Sequence, residues 1–311
     1  MFDEAVRVRS SRLYSKKRVL VIVPITRHEA YPLSAVASLL PLSDKIRVLA
    51  SFNRRVDEVL DAELLSLLKR LGAEVISTPK KISAVKHFSY ITRHARRVMR
   101  VVDSFPSVVL CDDDRLAVSV EDIDCIASLV VKNVAVWGPF RIFGDHLAGS
   151  DVHHAYFRAS PGHCATRLER LCDEMLFERQ GYTSDPAVYA SITGLFAPFA
   201  SFRSAAFFLK ATLSEHGART EMVILASRGL SVTAYSSPVA EIRFHPSQAG
   251  LDVRELSHLR SEMRFRAYAL INCSSMGELM KLFKIGFNVR WFWRSLVSIC
   301  IKSLVKSIQG S

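Results

Sequence analysis

Four short apolar runs within the first 111 residues constrain the fold of this 311-residue chain more than any other feature. They are Arg18-Val-Leu-Val-Ile-Val-Pro24, Ile46-Arg-Val-Leu-Ala50, Ala73-Glu-Val-Ile-Ser77 and Ser107-Val-Val-Leu-Cys111. The first is a continuous run of mostly β-branched residues, which is how a strand buried on both faces of a parallel sheet reads. Between the runs, residues 33–40, 56–71 and 82–102 carry apolar residues at helical spacing. Strands alternating with helices in this way predict an α/β fold with a doubly wound, mostly parallel sheet. Such sheets bind ligands outside the carboxyl ends of their strands.

Beyond residue 114 the pattern loosens. We expect helices at about 120–130, 166–178, 204–216 and 220–228, strands at Val134–Trp137 and Ser231–Tyr235, and a glycine-containing turn at Thr193–Phe199. Residues 139–163 show no clear period and are read as a long excursion over the active-site face. Its His146, His153, His154 and His163 match neither a helical histidine pair nor a zinc knuckle, so they are read as exposed loop residues. The expected organisation is a basic extension (1–16), a core domain (17–250), a helical segment (251–285) and a terminal amphipathic helix (286–311).

The formal net charge is +12, so the summed field attracts anions of any kind. No aromatic-rich RNA-binding signature accompanies the basic residues, and nucleic acid is not an expected partner. Six cysteines are scattered without a CxxC pair, which predicts reduced thiols and a cytoplasmic setting. Near the end, Arg290, Arg294, Ser298, Lys302 and Lys306 recur every fourth residue among Trp291, Phe292, Trp293 and aliphatic side chains. On a helix this arrangement suits an anionic membrane surface, placing the protein peripherally on the inner membrane face, and the recurrent charges argue against a span. A docked terminal helix or a dimer contact is the alternative.

The strongest chemical signal is Val108-Val-Leu-Cys-Asp-Asp-Asp114, an apolar strand that delivers three carboxylates at its carboxyl end. Acidic side chains can approach a nucleotide diphosphate only through a divalent cation, and Mg²⁺ or Mn²⁺ prefers such oxygen ligands. If the segment stays extended, Asp112 and Asp114 point the same way and Asp113 faces elsewhere. A strand end or a helix cap would also explain the triplet.

Over roughly residues 17–246 the chain resembles GT-A glycosyltransferases, particularly the inverting family 2. Val23-Pro-Ile-Thr-Arg-His-Glu29 stands where that family has its nucleotide-holding turn, which implies donor-binding roles for Pro24, Thr26 and Glu29. The family's Asp-x-Asp motif falls on Asp112-Asp113-Asp114, implying Mn²⁺ or Mg²⁺ on Asp112 and Asp114 and a donor contact at Asp113. Thr193-Gly194-Leu-Phe-Ala-Pro-Phe-Ala-Ser-Phe202-Arg203 is similar to the glycine loop and arginine that line donor and acceptor. Glu221 keeps one carboxylate of the family's Glu-Asp pair, which implies the catalytic base; a favourable charge on a helix's first turn is the other reading. His245, in Glu241-Ile-Arg-Phe-His245-Pro246, stands where such enzymes often supply a further metal ligand, and a plain loop histidine reads equally well. Arg264 resembles the basic segment after the core, whereas Lys81 and Lys86 read as solvated helix charges.

The resemblance implies transfer of a single sugar from a nucleotide-diphosphate sugar to a glycan or lipid-linked acceptor, as in surface polysaccharide or lipopolysaccharide assembly. Neither a Gln-x-x-Arg-Trp motif nor multiple membrane spans, the marks of processive synthases, are present in the sequence. Two alternatives stand beside it: a catalytically inactive, membrane-peripheral scaffold, supported by the missing Asp beside Glu221, and a nucleotidyltransferase. The nucleotidyltransferase ranks lower because the loop after the first strand has no glycine.

Overall fold

The computed structural model describes residues 18–26, 31–54, 61–143, 152–153, 192–211, 230–243, 276–277 and 280. The element order is β1 (Val19–Ile25), α1 (Tyr31–Ala37), β2 (Ile46–Phe52), α2 (Ala62–Arg70), β3 (Glu74–Ser77), α3 (Ala84–Arg97), β4 (Pro106–Val109), β5 (Arg115–Leu116), α4 (Val120–Val131), β6 (Val134–Trp137), β7 (Phe140–Phe143), β8 (Val152–His153), β9 (Leu195–Pro198), α5 (Phe199–Ala211), β10 (Ser231–Ala234) and β11 (Ala240–Arg243).

Seven strands form one sheet in the order β10-β6-β9-β4-β1-β2-β3. All neighbours in it are parallel except β9, which runs antiparallel to both β4 and β6. The alternation of side chains along β1 explains why its apolar run is unbroken. Val19, Val21 and Val23 pack with α1, α2 and α4 residues such as Val36, Leu68 and Ile126. Leu20 and Ile22 face the other way, against Ile91 and Ala95 of α3 and Phe202 of α5. All five β1 residues are fully buried, and each such side chain contributes roughly 1.5–3 kcal/mol of transfer free energy. The sheet is therefore covered by helices on both faces, as the runs predicted.

Local signals set the helix ends. The Asp61 carboxylate accepts from the Leu64 N–H at 2.9 Å and opens α2, and Ser119 accepts from the Asp122 N–H at 3.0 Å to open α4. After α2 the chain leaves through Gly72 at φ +60°, with Ala73 N–H returning to the Leu68 carbonyl.

A smaller second sheet, β5-β11-β7-β8, lies beyond the carboxyl end of β4. Residues 139–163 were expected to be an excursion without regular structure, but Phe140–Phe143 pairs in parallel with β11, and Val152–His153 pairs antiparallel with β7. Four residues are too few for a period to show. The expected turn at Thr193–Phe199 likewise contains strand β9, and α5 starts at Phe199 rather than near residue 204. The expected helices at 166–178 and 220–228, the extension 1–16 and the terminal helix 286–311 lie outside the described residues. Among the described residues, no helix is long and apolar enough to cross a membrane.

Candidate functional site

Strand β4 ends at Val109, and Asp112, Asp113 and Asp114 follow in a tight turn closed by the Asp114 N–H on the Cys111 carbonyl at 3.2 Å. That turn overrides the strand alternation. Asp112 and Asp114 were expected to act together, but the Asp112 Oδ2 turns to β1, accepting from the Thr26 N–H at 2.6 Å and the Thr26 hydroxyl at 3.0 Å. Asp113 and Asp114 instead converge with Cys111, their ligand atoms all within 4.8 Å of one another. The correction follows from backbone geometry, because a turn rotates successive side chains by less than the half-turn of an extended strand.

Each aspartate is no more than 6% exposed, so three neighbouring carboxylates are held almost out of water. Burial, and then the neighbouring Asp113 charge, push the Asp114 carboxyl up to about 8. Burial and the carboxylates together raise the Cys111 thiol well above its usual range. Two donors oppose this on Asp114: the Thr193 hydroxyl at 2.7 Å and the Arg243 N–H at 3.0 Å. Thr193 does double duty, since its oxygen also accepts from the Cys111 N–H at 3.1 Å.

Arg243, the last residue of β11, also reaches the Asp113 carbonyl through Nε at 3.3 Å. Its guanidinium lies 4.6 Å from the Tyr31 ring centre and 4.5 Å from that of Phe143. Arg115 lies 4.5 Å from the same Phe143 ring, donates to the Ser34 hydroxyl at 2.7 Å and pairs with Glu241 at 3.6 Å. The second sheet thus brings two arginines and the Phe143 ring to the margin of the acidic turn, and α1 adds the Tyr31 ring.

The donor set fits a divalent cation. Asp113 and Asp114 offer the hard oxygens that Mg²⁺ and Mn²⁺ prefer, Cys111 adds a softer sulfur, and a cation would relieve the mutual repulsion of the carboxylates.

Of the residues picked from sequence, Thr26 and the three aspartates come together, with Pro24 two residues before Thr26 on the same strand end. Gly194 follows Thr193 directly at φ +92°, and its role is in the backbone: a Cβ there would lie 3.1 Å from Val239 Cγ2 and 3.2 Å from Ala240 Cβ. Arg203 sits elsewhere. It pairs with Asp103 at 2.7 Å, where the chain leads into β4, at the opposite end of that strand from Asp112. Because β9 runs antiparallel to β4, a helix that follows β9 must begin at that far end. Glu29, Glu221, His245 and Arg264 lie outside the described residues. Sequence reasoning gave no role to Cys111, Thr193, Tyr31 or Arg243. The Thr-Gly doublet was a usable signal for Thr193, but nothing local marks the others.

No known protein family and no curated protein sequence matches the chain. Solved structures do. The crystal structure of S. aureus TarS matches with a TM-score of 0.51 at 13% identity, covering 88% of this chain and 43% of that one. A TarS fragment, residues 1–349 in complex with UDP, matches with a TM-score of 0.50 at 12% identity, covering 86% of this chain and 69% of that one. The chain therefore spans less than half the length of the first of these TarS chains. At such identities the likeness is one of fold, and the fold is GT-A.

Proposed function

We propose that the chain is a glycosyltransferase that takes a sugar from a nucleotide-diphosphate donor held at the Asp112–Asp114 turn. One observation carries the reading: three buried carboxylates follow the carboxyl end of β4, two of them converging, at the strand ends where a parallel sheet binds its ligands. That one TarS fragment was solved in complex with UDP supports a nucleotide donor. Mn²⁺ or Mg²⁺ on Asp113 and Asp114, with Cys111 beside them, would neutralise the donor's diphosphate and stabilise it as leaving group. Thr26 positions Asp112, while Thr193 and Arg243 hold Asp114. Glu221 remains our choice for the base that takes the acceptor proton, and His245 for a further ligand.

We read the reaction as inverting transfer of one sugar to a glycan or lipid-linked acceptor in surface polysaccharide or lipopolysaccharide assembly. In this reading the chain works in the cytoplasm, held peripherally at the inner face by the basic, aromatic helix of residues 286–311. The inactive scaffold is the second reading, favoured by the single carboxylate at Glu221.

The test is thermal stabilisation by a panel of nucleoside diphosphates and nucleotide sugars, with Mn²⁺ present or chelated, since ligands of the native state raise apparent stability. We expect a metal-dependent shift with one nucleotide, absent in Asp114→Asn and in Asp113→Asn. No shift with any nucleotide transfers the weight to the scaffold.

A further inference from the structure

We propose that the corner where α3 ends and the chain turns into β4 docks on an anionic lipid bilayer. This goes beyond the donor-site reading and does not depend on it. Arg93, Arg96 and Arg97 stand at intervals that place them on one side of α3, Arg100 follows three residues past its end, and all four are exposed. Among the described residues none of them forms an ion pair. The nearby acids are engaged elsewhere, Asp103 with Arg203 and Glu74 with His94.

Two apolar side chains share this corner. Val98 and Val102 are each 59% exposed, in a chain whose described aliphatic residues are mostly buried. Attraction of cations to a helix carboxyl end accounts for Arg96 and Arg97 in the last turn. It accounts neither for Arg93 and Arg100 nor for exposed valines. Arg100, three residues past the end of α3, adopts φ +53°, and around it Val98 and Val102 stay exposed while Val101 is buried in the core.

The combination selects the partner. Guanidinium groups pair with lipid phosphates, and aliphatic side chains gain by entering the boundary between headgroups and acyl chains. A single-stranded nucleic acid would call for exposed rings to stack on, and the one ring in residues 93–102, that of His94, is mostly buried against Glu74. A stable protein partner covers roughly 20–30 residues a side, more than this corner offers. β4 leads from the corner to the acidic turn, so docking here sets the bilayer at the opposite end of the sheet from the carboxylates. The donor site is left facing solvent.

Hydrogen exchange read by mass spectrometry on the full chain tests this. Vesicles containing phosphatidylglycerol should slow exchange in residues 93–102, and pure phosphatidylcholine vesicles should not. Replacing the four arginines with Gln should remove that protection and weaken vesicle binding at least about 10-fold, while four Lys replacements retain most of it. Any nucleotide-induced shift in melting temperature should be the same in the Gln variant, which separates this result from the donor-site test. Val98→Ser with Val102→Ser should weaken the binding that survives in high salt. The proposal is overturned if the protein binds vesicles without protecting residues 93–102, if the Gln variant binds as well as the parent, or if the chain binds no vesicles. Protection by single-stranded RNA but not by vesicles would assign the corner to nucleic acid instead.

Discussion

Thr193 is the residue on which the acidic turn leans most, because one hydroxyl serves two buried groups. Thr193→Val keeps the shape and removes both hydrogen bonds, leaving the Cys111 N–H without that acceptor and Asp114 with one donor fewer. Chemical denaturation should show a loss of about 1–3 kcal/mol, with Thr193→Ser close to the parent. A loss in Thr193→Ser with none in Thr193→Val would mean that the methyl group matters and the hydroxyl does not. Gly194→Ala should cost about 2 kcal/mol by the same measurement, since a Cβ meets a left-handed backbone and two close neighbours. At this scale the sequence pointed to three carboxylates that lie buried side by side, but paired them differently from the structure. Residue identity shows that Asp112, Asp113 and Asp114 are acidic; only the turn decides that Asp112 faces Thr26 while Asp113 and Asp114 meet Cys111. Arg243 was illegible for a related reason, since its partners stand 129 and 130 positions earlier in the chain.

Among elements, legibility follows burial on two faces. β1 and β2 could be read because a strand covered by helices on both sides must be apolar at every position, and their boundaries shifted by only a residue or two. β7 and β9 could not, because Phe140-Arg-Ile-Phe143 is too short to declare a period and Leu195-Phe-Ala-Pro198 carries Gly and Pro at its ends like a turn. Helix α3 shows how an element can carry a hidden titration. His87 on its inner face is 1% exposed and shares a 2.7 Å hydrogen bond with Ser51 of β2. Burial lowers it from 6.5 to about 4. Between those values the unfolded chain takes up a proton that the native state refuses, so stability is full above 6.5 and falls as pH drops toward 4. The loss attributable to this group should approach about 3 kcal/mol, read as the change in denaturation free energy across that window. His87→Gln should flatten that part of the pH profile; an unaltered slope would place the titrating group elsewhere.

For the whole molecule, the governing quantity is the net charge of +12. Packed into a folded chain, that charge repels itself, and unfolding spreads it out, so the charge works against the compact state even where each arginine has a local role. Added salt should therefore stabilise the fold. The denaturation midpoint should rise most steeply up to roughly 0.15 M NaCl, where the screening length has shortened to about 8 Å. The same salt should weaken vesicle binding through Arg93, Arg96, Arg97 and Arg100, because there the partner is anionic and screening removes an attraction. Opposite responses to one variable separate the two uses of charge: repulsion distributed over the fold, and attraction concentrated at the rim of α3. Replacing those four arginines with Gln lowers the net charge by four, and it should both reduce the salt dependence of stability and abolish most of the salt dependence of binding. If stability proved indifferent to salt, the positive charges would have to be neutralised by local pairing throughout the chain, and the exposed arginines of α3 would be the exception within a balanced surface.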